Sequence, residues 1–256
     1  YGATGSLPVC SISGREVLHR TAAQTCSGAG TCVGTPFPQI EVKVVEITDG
    51  PIESLGEVRE LPAGEAGEII VRGPSITREY FRRPEETRLA KIPDGERIWH
   101  RIGDVDYFDP SGALWFCGRK APIVETRRGR MFSVCCEAIF NQHPEIYRSA
   151  LVGIGGKPDQ VPVIVVEPEP GRFPRTAPDR ERMTRELLEI GGGNVKTSNV
   201  SHVLFHPSLP VDTRHNVKIA RLALAAWAER QLAGKVRISR NSVPMRTAET
   251  IEEIAR

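Results

Sequence analysis

Residues 98–120, IWHRIGDVDYFDPSGALWFCGRK, decide how the chain is read. Their centre, Asp109-Pro110-Ser111-Gly112, carries the residue set of a type I turn: Asp first, Pro pre-setting φ at the second position, Gly at the exit. Val105 and Tyr107 before it, and Leu114 and Phe116 after it, have strand propensity. The stretch therefore predicts a β-hairpin. Its polar residues gather at the open end, as His100-Arg101-Ile102-Gly103-Asp104 going in and Gly118-Arg119-Lys120 coming out. A hairpin folds its ends together, so Asp104 is expected to approach Arg119. A carboxylate and a guanidinium there, each beside glycine, suit a ligand with hydroxyls and phosphates. Taken alone, a surface salt bridge is the default reading and the ligand site its alternative.

The rest of the chain is ordinary in bulk. It has 256 residues, 39% hydrophobic and 26% charged, room for one large or two modest domains. A net charge of +2 gives no reason to invoke nucleic acid or an anionic membrane. No apolar run approaches a membrane span, and no secretory leader is visible. The chain opens on Tyr1, inside what reads as a motif, which suggests a piece of a longer polypeptide. Six cysteines form no CxxC pair and six histidines no HExxH, so zinc is not expected. Reduced cysteines packed as small apolar residues fit a cytoplasmic protein.

Upstream of the hairpin, Tyr1-Gly2-Ala3-Thr4-Gly5-Ser6-Leu7-Pro8 is a glycine-rich loop. Gly28-Ala29-Gly30 and Val33-Gly34-Thr35-Pro36-Phe37-Pro38 read as turns. Strands are predicted over 39–48 and 67–73, with Ile40, Val42 and Val44 on one face. A short helix is predicted behind Pro84, with Glu85 and Glu86 matching its dipole. Downstream come a second hairpin over 121–134, helices over 135–142, 179–190 and 217–232, and strands over 149–154, 162–167 and 200–206. The fold class is α+β: a β-rich first part, 1–118, then a small α+β domain, 119–233. Residues 234–256 lack a long periodic apolar face and read as a mobile tail, with a short helix possible over 247–256.

One stretch breaks a local rule. Asn216 is a good N-cap for the 217–232 helix. That puts Lys218 in the first turn, with Arg214 and His215 close by, where the macrodipole disfavours cations. An anion docking at that terminus would resolve the conflict; a solvated lysine is the alternative.

Together these pieces resemble the C-terminal part of the AMP-forming acyl-activating enzymes (acyl-CoA synthetases, adenylation domains, luciferases). Tyr1-Gly2-Ala3-Thr4 resembles that family's YGxTE motif, His100–Asp104 its RTGD motif, Gly118-Arg119-Lys120 its GR-hinge motif, and Asn216-Val217-Lys218-Ile219 its catalytic-lysine motif. The run of four in order covers residues 1–233. Within the family, YGATGSLPV, WFCGRK, FHPSLPVDTRHNVKI and CEAIFNQHP resemble the olefin-pathway β-lactone synthetases. The resemblance implies a large nucleotide-binding domain represented by its C-terminal portion, 1–118, and a mobile lid, 119–233. It implies ATP-dependent activation of a long-chain β-hydroxy fatty acid through an acyl-adenylate, closure to a β-lactone, and release of AMP and pyrophosphate. Olefin-pathway enzymes would be partners.

The same resemblance assigns roles. Tyr1, beside Gly2 in the nucleotide-binding loop, would stack on adenine. Thr4 would bond the α-phosphate, and Asp104 the ribose hydroxyls. Arg119 would reach ribose or phosphate, and Lys120 would mark the hinge. Lys218 would be the catalytic cation. Gly5 stands where the family has the glutamate that helps hold Mg²⁺, and Val217 where it has glycine. Metal binding by this chain is therefore put in doubt. The alternatives are a fatty acyl-CoA ligase and, in another class, a truncated relic without turnover.

Overall fold

The computed structural model describes residues 1–212 and 215–233. The 234–256 tail, its short helix, and Arg214 lie outside the described residues, as do the side chains of 215–217. In chain order the first part holds strand β1 (Cys10–Ser11), helix α1 (Gly14–Glu16), a π-helical turn over Val17–Thr21, helix α2 (Ala22–Cys26), β2 (Thr31–Pro36), β3 (Glu41–Val45), β4 (Gly67–Arg72), α3 (Pro84–Ala90), β5 (Lys91–Asp94), β6 (Arg97–Phe108) and β7 (Leu114–Arg119). Then follow β8 (Val124–Thr126), β9 (Gly129–Met131), α4 (Ser133–Phe140), β10 (Ile146–Ile154), β11 (Val161–Pro168), α5 (Ala177–Gly192), β12 (His202–Phe205), β13 (Val211–Asp212), β14 (His215–Ile219) and α6 (Arg221–Leu232). The mixed α+β class is as expected, and no described helix is long and apolar enough to cross a membrane.

The first sheet runs β1-β2-β7-β6-β4-β3, with β5 also on β6. The opening hairpin, β6 and β7, lies in its middle. Its turn closes as read: Gly112 N–H donates to the Asp109 carbonyl at 3.0 Å. The Asp109 carboxylate accepts from the Ser111 and Ala113 amides and, at 2.9 Å, from Trp115 Nε1. Side chains alternate along β4, so Ile69 and Val71 enter one core with Val44, Ile102 and Leu114. Ile70 enters another with Val45, Ile92 and Trp99. Both faces of the sheet are covered here, which accounts for the unbroken apolar run IIV.

One buried ion pair ties this sheet to its loops. The Arg101 and Glu68 side chains are 4% and 2% exposed. Arg101 Nε and Nη2 donate to the two Glu68 oxygens at 3.1 and 2.8 Å. Its remaining donors take the carbonyls of Thr48, Gly50 and Leu89. Lys120 Nζ reaches the same carboxylate at 3.1 Å and also the Thr48 carbonyl.

In the second part, β10, β11 and β12 form a three-stranded sheet, β10 antiparallel and β12 parallel to β11. Alternation again sorts its residues. Leu151, Ile164 and Val166 meet Phe140 of α4 and Met183 and Leu187 of α5. Ala150, Val152, Val163 and Val165 meet Leu224, Ala228 and Leu232 of α6. Arg221, the first residue of α6, holds Glu137 of α4 at 2.8 Å, and Glu137 also accepts from Leu151 N–H at 2.9 Å.

Two readings are corrected. Residues 33–36, read as a turn, belong to strand β2: Thr31 pairs with Phe116 and Cys32 with Trp115, and a register shift before Gly34 absorbs the glycine. The last helix starts at Arg221, not at residue 217, and Lys218 lies on strand β14, paired with β13. Val217 and Ile219 are β-branched, and the β13–β14 hairpin outweighs the capping potential of Asn216. The helix-terminus anion site around Lys218 therefore does not exist: its first-turn residues are Arg221 onward, with Ala220 as N-cap.

Candidate functional site

Three of the candidate residues come together. Tyr1 lies beside the middle of the sheet, its ring tilted on Phe116 at 5.8 Å between centroids. Its hydroxyl donates to Asp104 Oδ2 at 2.6 Å. Arg119 Nη1 lies 2.9 Å from Asp104 Oδ1 and donates to the Ile102 carbonyl at 3.1 Å. The register pairs Asp104 directly with Arg119, as the hairpin reading expects. The pair is lopsided, however, with the aspartate side chain 4% and the arginine 50% exposed. It is thus neither a surface salt bridge nor a closed interior pair. Asp104 Oδ1 is buried and accepts no hydrogen bond, because the Arg119 N–H vectors do not aim at it.

Next to it stands a residue the sequence reading passed over. Asp106 is fully buried, with Oδ1 at 3.4 Å from the Tyr1 hydroxyl and Oδ2 without a partner. The signal was available: residues two apart on a strand share a face, so Asp-Val-Asp on β6 sends both carboxylates to one side. Burial pushes both carboxyls above their ordinary value, Asp106 furthest, with the nearby Asp104 charge adding to its shift. The Tyr1 phenol is pushed up as well, by burial first and then by the two aspartates.

The sign of the pH dependence follows. Between the ordinary aspartate pKa and its raised folded value, Asp106 carries a proton in the folded chain that it lacks when unfolded. Stability is therefore present in full at low pH and falls as pH rises through that window. Asp106→Asn is expected to raise the unfolding free energy near neutral pH, because the amide has no charge to give up on burial. Denaturant titrations of both forms at several pH values check this: the gap should close toward pH 4 and widen above it.

Other candidates stand apart. Thr4 is exposed in the tight loop after Gly2, where Ser6 N–H donates to the Ala3 carbonyl. Lys120 is anchored by its main chain to Gly103 at 2.9 Å and by its amine to Glu68. Lys218 is exposed on β14, and among the described residues no hydrogen bond joins it to Tyr1, Asp104 or Arg119. Gly5 has φ +92°, and a Cβ there would lie 2.8 Å from Thr77 Oγ1. Gly5 offers no carboxylate to a metal, and a glutamate in this backbone conformation would be strained.

Away from this cluster, one set of ligand-type atoms among the described residues approaches within 4.8 Å: His143, Glu145 and Glu186. The Glu145 amide donates to His143 Nδ1, so Nε2 carries the proton and donates to Glu186 at 3.1 Å. Arg182 takes both carboxylates. The three groups are joined to Arg182 in an ion-pair network.

No family model matches the chain. Among solved structures, amide bond synthetase McbA from Marinactinospora thermotolerans superposes with a TM-score of 0.69 at 23% identity, covering 89% of this chain and 41% of that one. The fold is therefore that of the adenylate-forming enzymes. Olefin beta-lactone synthetase from Stenotrophomonas maltophilia (strain K279a) is 45% identical over 237 residues, 91% of this chain. Its counterpart from Xanthomonas campestris pv. campestris is 46% identical over 236 residues, 90% of this chain. The chain spans 42% of the length of each. It belongs to the AMP-forming acyl-activating enzymes and matches part of the length of two olefin β-lactone synthetases.

Proposed function

We propose that the polypeptide to which this chain belongs uses ATP to activate a long-chain β-hydroxy fatty acid as its acyl-adenylate and then closes it to a β-lactone. AMP and pyrophosphate are the other products. The observation that carries this reading is the 45% identity, over 91% of the chain, to an olefin beta-lactone synthetase. Residues 1–118 act as the C-terminal wall of the nucleotide-binding domain and 119–233 as a lid that turns about Lys120.

The geometry at Tyr1 supports a nucleoside site. A phenol fixed by Asp104 presents an oriented ring for adenine. Asp104 Oδ1 has acceptor capacity that the protein does not use. Arg119 is half exposed above it and can swing toward a phosphate, opening the carboxylate to ribose hydroxyls. Thr4 would meet the α-phosphate, and Lys218 would arrive with the lid to stabilise charge growing on the phosphate and acyl oxygens.

Gly5 favours a second reading, a folded relic without turnover, because the carboxylate that would help hold a divalent ion is missing. Product analysis separates the possibilities. A polypeptide of the relatives' full length that includes this chain is incubated with ATP, magnesium and a labelled β-hydroxy fatty acid, with and without CoA. Labelled β-lactone and AMP are the expected products. Acyl-CoA instead of lactone would make the protein a fatty acyl-CoA ligase, and no AMP at all would favour the relic.

A further inference from the structure

We infer that Cys117 and Cys135 form an intramolecular disulfide site, in which Cys135 attacks a hydrogen peroxide molecule entering from the cavity beside them and Cys117 resolves the product. Cys117 is the extra residue of a β-bulge. Val105 pairs with Gly118 and Asp106 with Phe116, which leaves Cys117 without a partner on β6. Bulges re-aim side chains, and this one sends Cys117 into a small core with Val105, Ile123 and Cys135. Cys135 sits in the first turn of α4, which the Gly118 backbone approaches so closely that a Cβ there would lie 2.6 Å from Ser133 Oγ.

Cys117 and Cys135 share that core, and the Cys117 S–H donates to the Trp115 carbonyl at 3.8 Å. The neighbouring Cys117 and the Lys196 ammonium lower the Cys135 thiol, while Cys135 and burial raise Cys117. The lowered thiol is the one that attacks peroxide, and the second sulfur beside it is placed to displace the sulfenic hydroxyl. Cys117 and Cys135 line a cavity of about 410 Å³, together with Cys136, Lys196 and Arg130. Lys196 is held there by the Gly28 carbonyl at 2.6 Å. The adjacent Cys136 belongs to the neighbouring core with Phe140 and Leu151, its thiol 3.6 Å from the Lys196 carbonyl.

The chemistry balances with peroxide as oxidant. The Cys135 thiolate attacks one peroxide oxygen, the O–O bond breaks, and the leaving hydroxide takes a proton to become water. Cys135 is then a sulfenic acid. Cys117 sulfur attacks the Cys135 sulfur, the S–O bond breaks, and the Cys117 proton leaves with the hydroxyl as a second water. The new S–S bond closes a loop across Lys120. Insofar as Lys120 is the hinge of the proposed enzyme, oxidation fixes α4 against β7 and stops the lid from turning.

The test needs no substrate, so its failure leaves the proposed activity untouched. The 256-residue chain is treated with a few equivalents of hydrogen peroxide, alkylated, digested with trypsin and mapped without reduction. Trypsin releases Cys117 in peptide 102–119 and Cys135 with Cys136 in peptide 131–148. The expected product is a disulfide between these peptides that is reversed by dithiothreitol, kept in Cys136→Ser and lost in Cys135→Ser. In Cys117→Ser, dimedone should trap a sulfenic acid on peptide 131–148. Oxidation of the exposed Cys26 with Cys117 and Cys135 left as thiols would overturn the inference. So would a cross-link that survives in Cys135→Ser, or sulfinic acid on peptide 131–148 with no cross-link.

Discussion

Lys218→Ala, in a polypeptide of the relatives' full length, is expected to lower acyl-adenylate formation by about 10²–10³-fold, the usual loss when one preorganised electrostatic partner of a transition state is removed. The thermal midpoint should stay where it is. Lys218 is exposed on β14, so its ammonium holds no part of the core together. Its position on a strand sharpens the expectation. At a helix N-terminus the lysine would share its anion with free backbone amides, and alanine would leave part of the site behind. On the β13–β14 hairpin no helix terminus would share the anion with it, and alanine would take that whole contribution away. Radiolabelled pyrophosphate exchange into ATP measures the half-reaction directly. Near wild-type exchange would remove Lys218 from adenylate formation.

The second large effect concerns stability. Glu68→Ala is expected to cost about 3–5 kcal/mol of unfolding free energy, the range for breaking a buried ion pair by deleting one partner. The reason is what the deletion leaves behind. Arg101 would keep its charge, 4% exposed, facing neutral acceptors: the carbonyls of Thr48, Gly50 and Leu89 and the Thr48 hydroxyl. Lys120 would lose its carboxylate at the same time. Urea denaturation of the chain checks the number. Glu41→Ala makes the comparison fair: the Arg72–Glu41 pair also bonds through two nitrogens, but Glu41 is 55% exposed, so a loss of at most about 1 kcal/mol is expected there. Equal losses in the two variants would mean that burial does not set the cost of the Glu68 pair.

How much of this could be read from the residues varies with the kind of signal. The 98–120 hairpin was legible because its turn chemistry and its strand residues agree, and Asp104 opposite Arg119 follows from that register. The three-stranded sheet of the second part was legible because its strands are short apolar runs between turn residues. Local preference misled at Asn216, a good cap that tertiary pairing of His215–Ile219 overrode. It misled again at residues 33–36, where glycine and proline mark a bulged strand rather than a turn. The helical stretch from Gly14 to Cys26 was missed, although Ser13 and Glu16 form a capping box at its start. Of the site, the motif residues carried Tyr1, Asp104 and Arg119. Burial, which no single residue announces, was needed to see that Asp104 is an interior acceptor and that Asp106 stands beside it. The Cys117–Cys135 pairing rests on a one-residue bulge in β7, and a register shift of that kind leaves no mark in composition or periodicity.

The most direct test of the nucleoside site is the ATP dependence of pyrophosphate exchange in Asp104→Asn, again at the relatives' full length. Asparagine keeps the volume but offers the ribose one acceptor oxygen in place of a charged carboxylate. If Tyr1, Asp104 and Arg119 hold the nucleoside, KM for ATP should rise at least tenfold while KM for the fatty acid stays within about twofold, the loss of one charge-assisted hydrogen bond being worth roughly 1.5–3 kcal/mol. An unchanged KM for ATP in a folded variant would contradict the assignment.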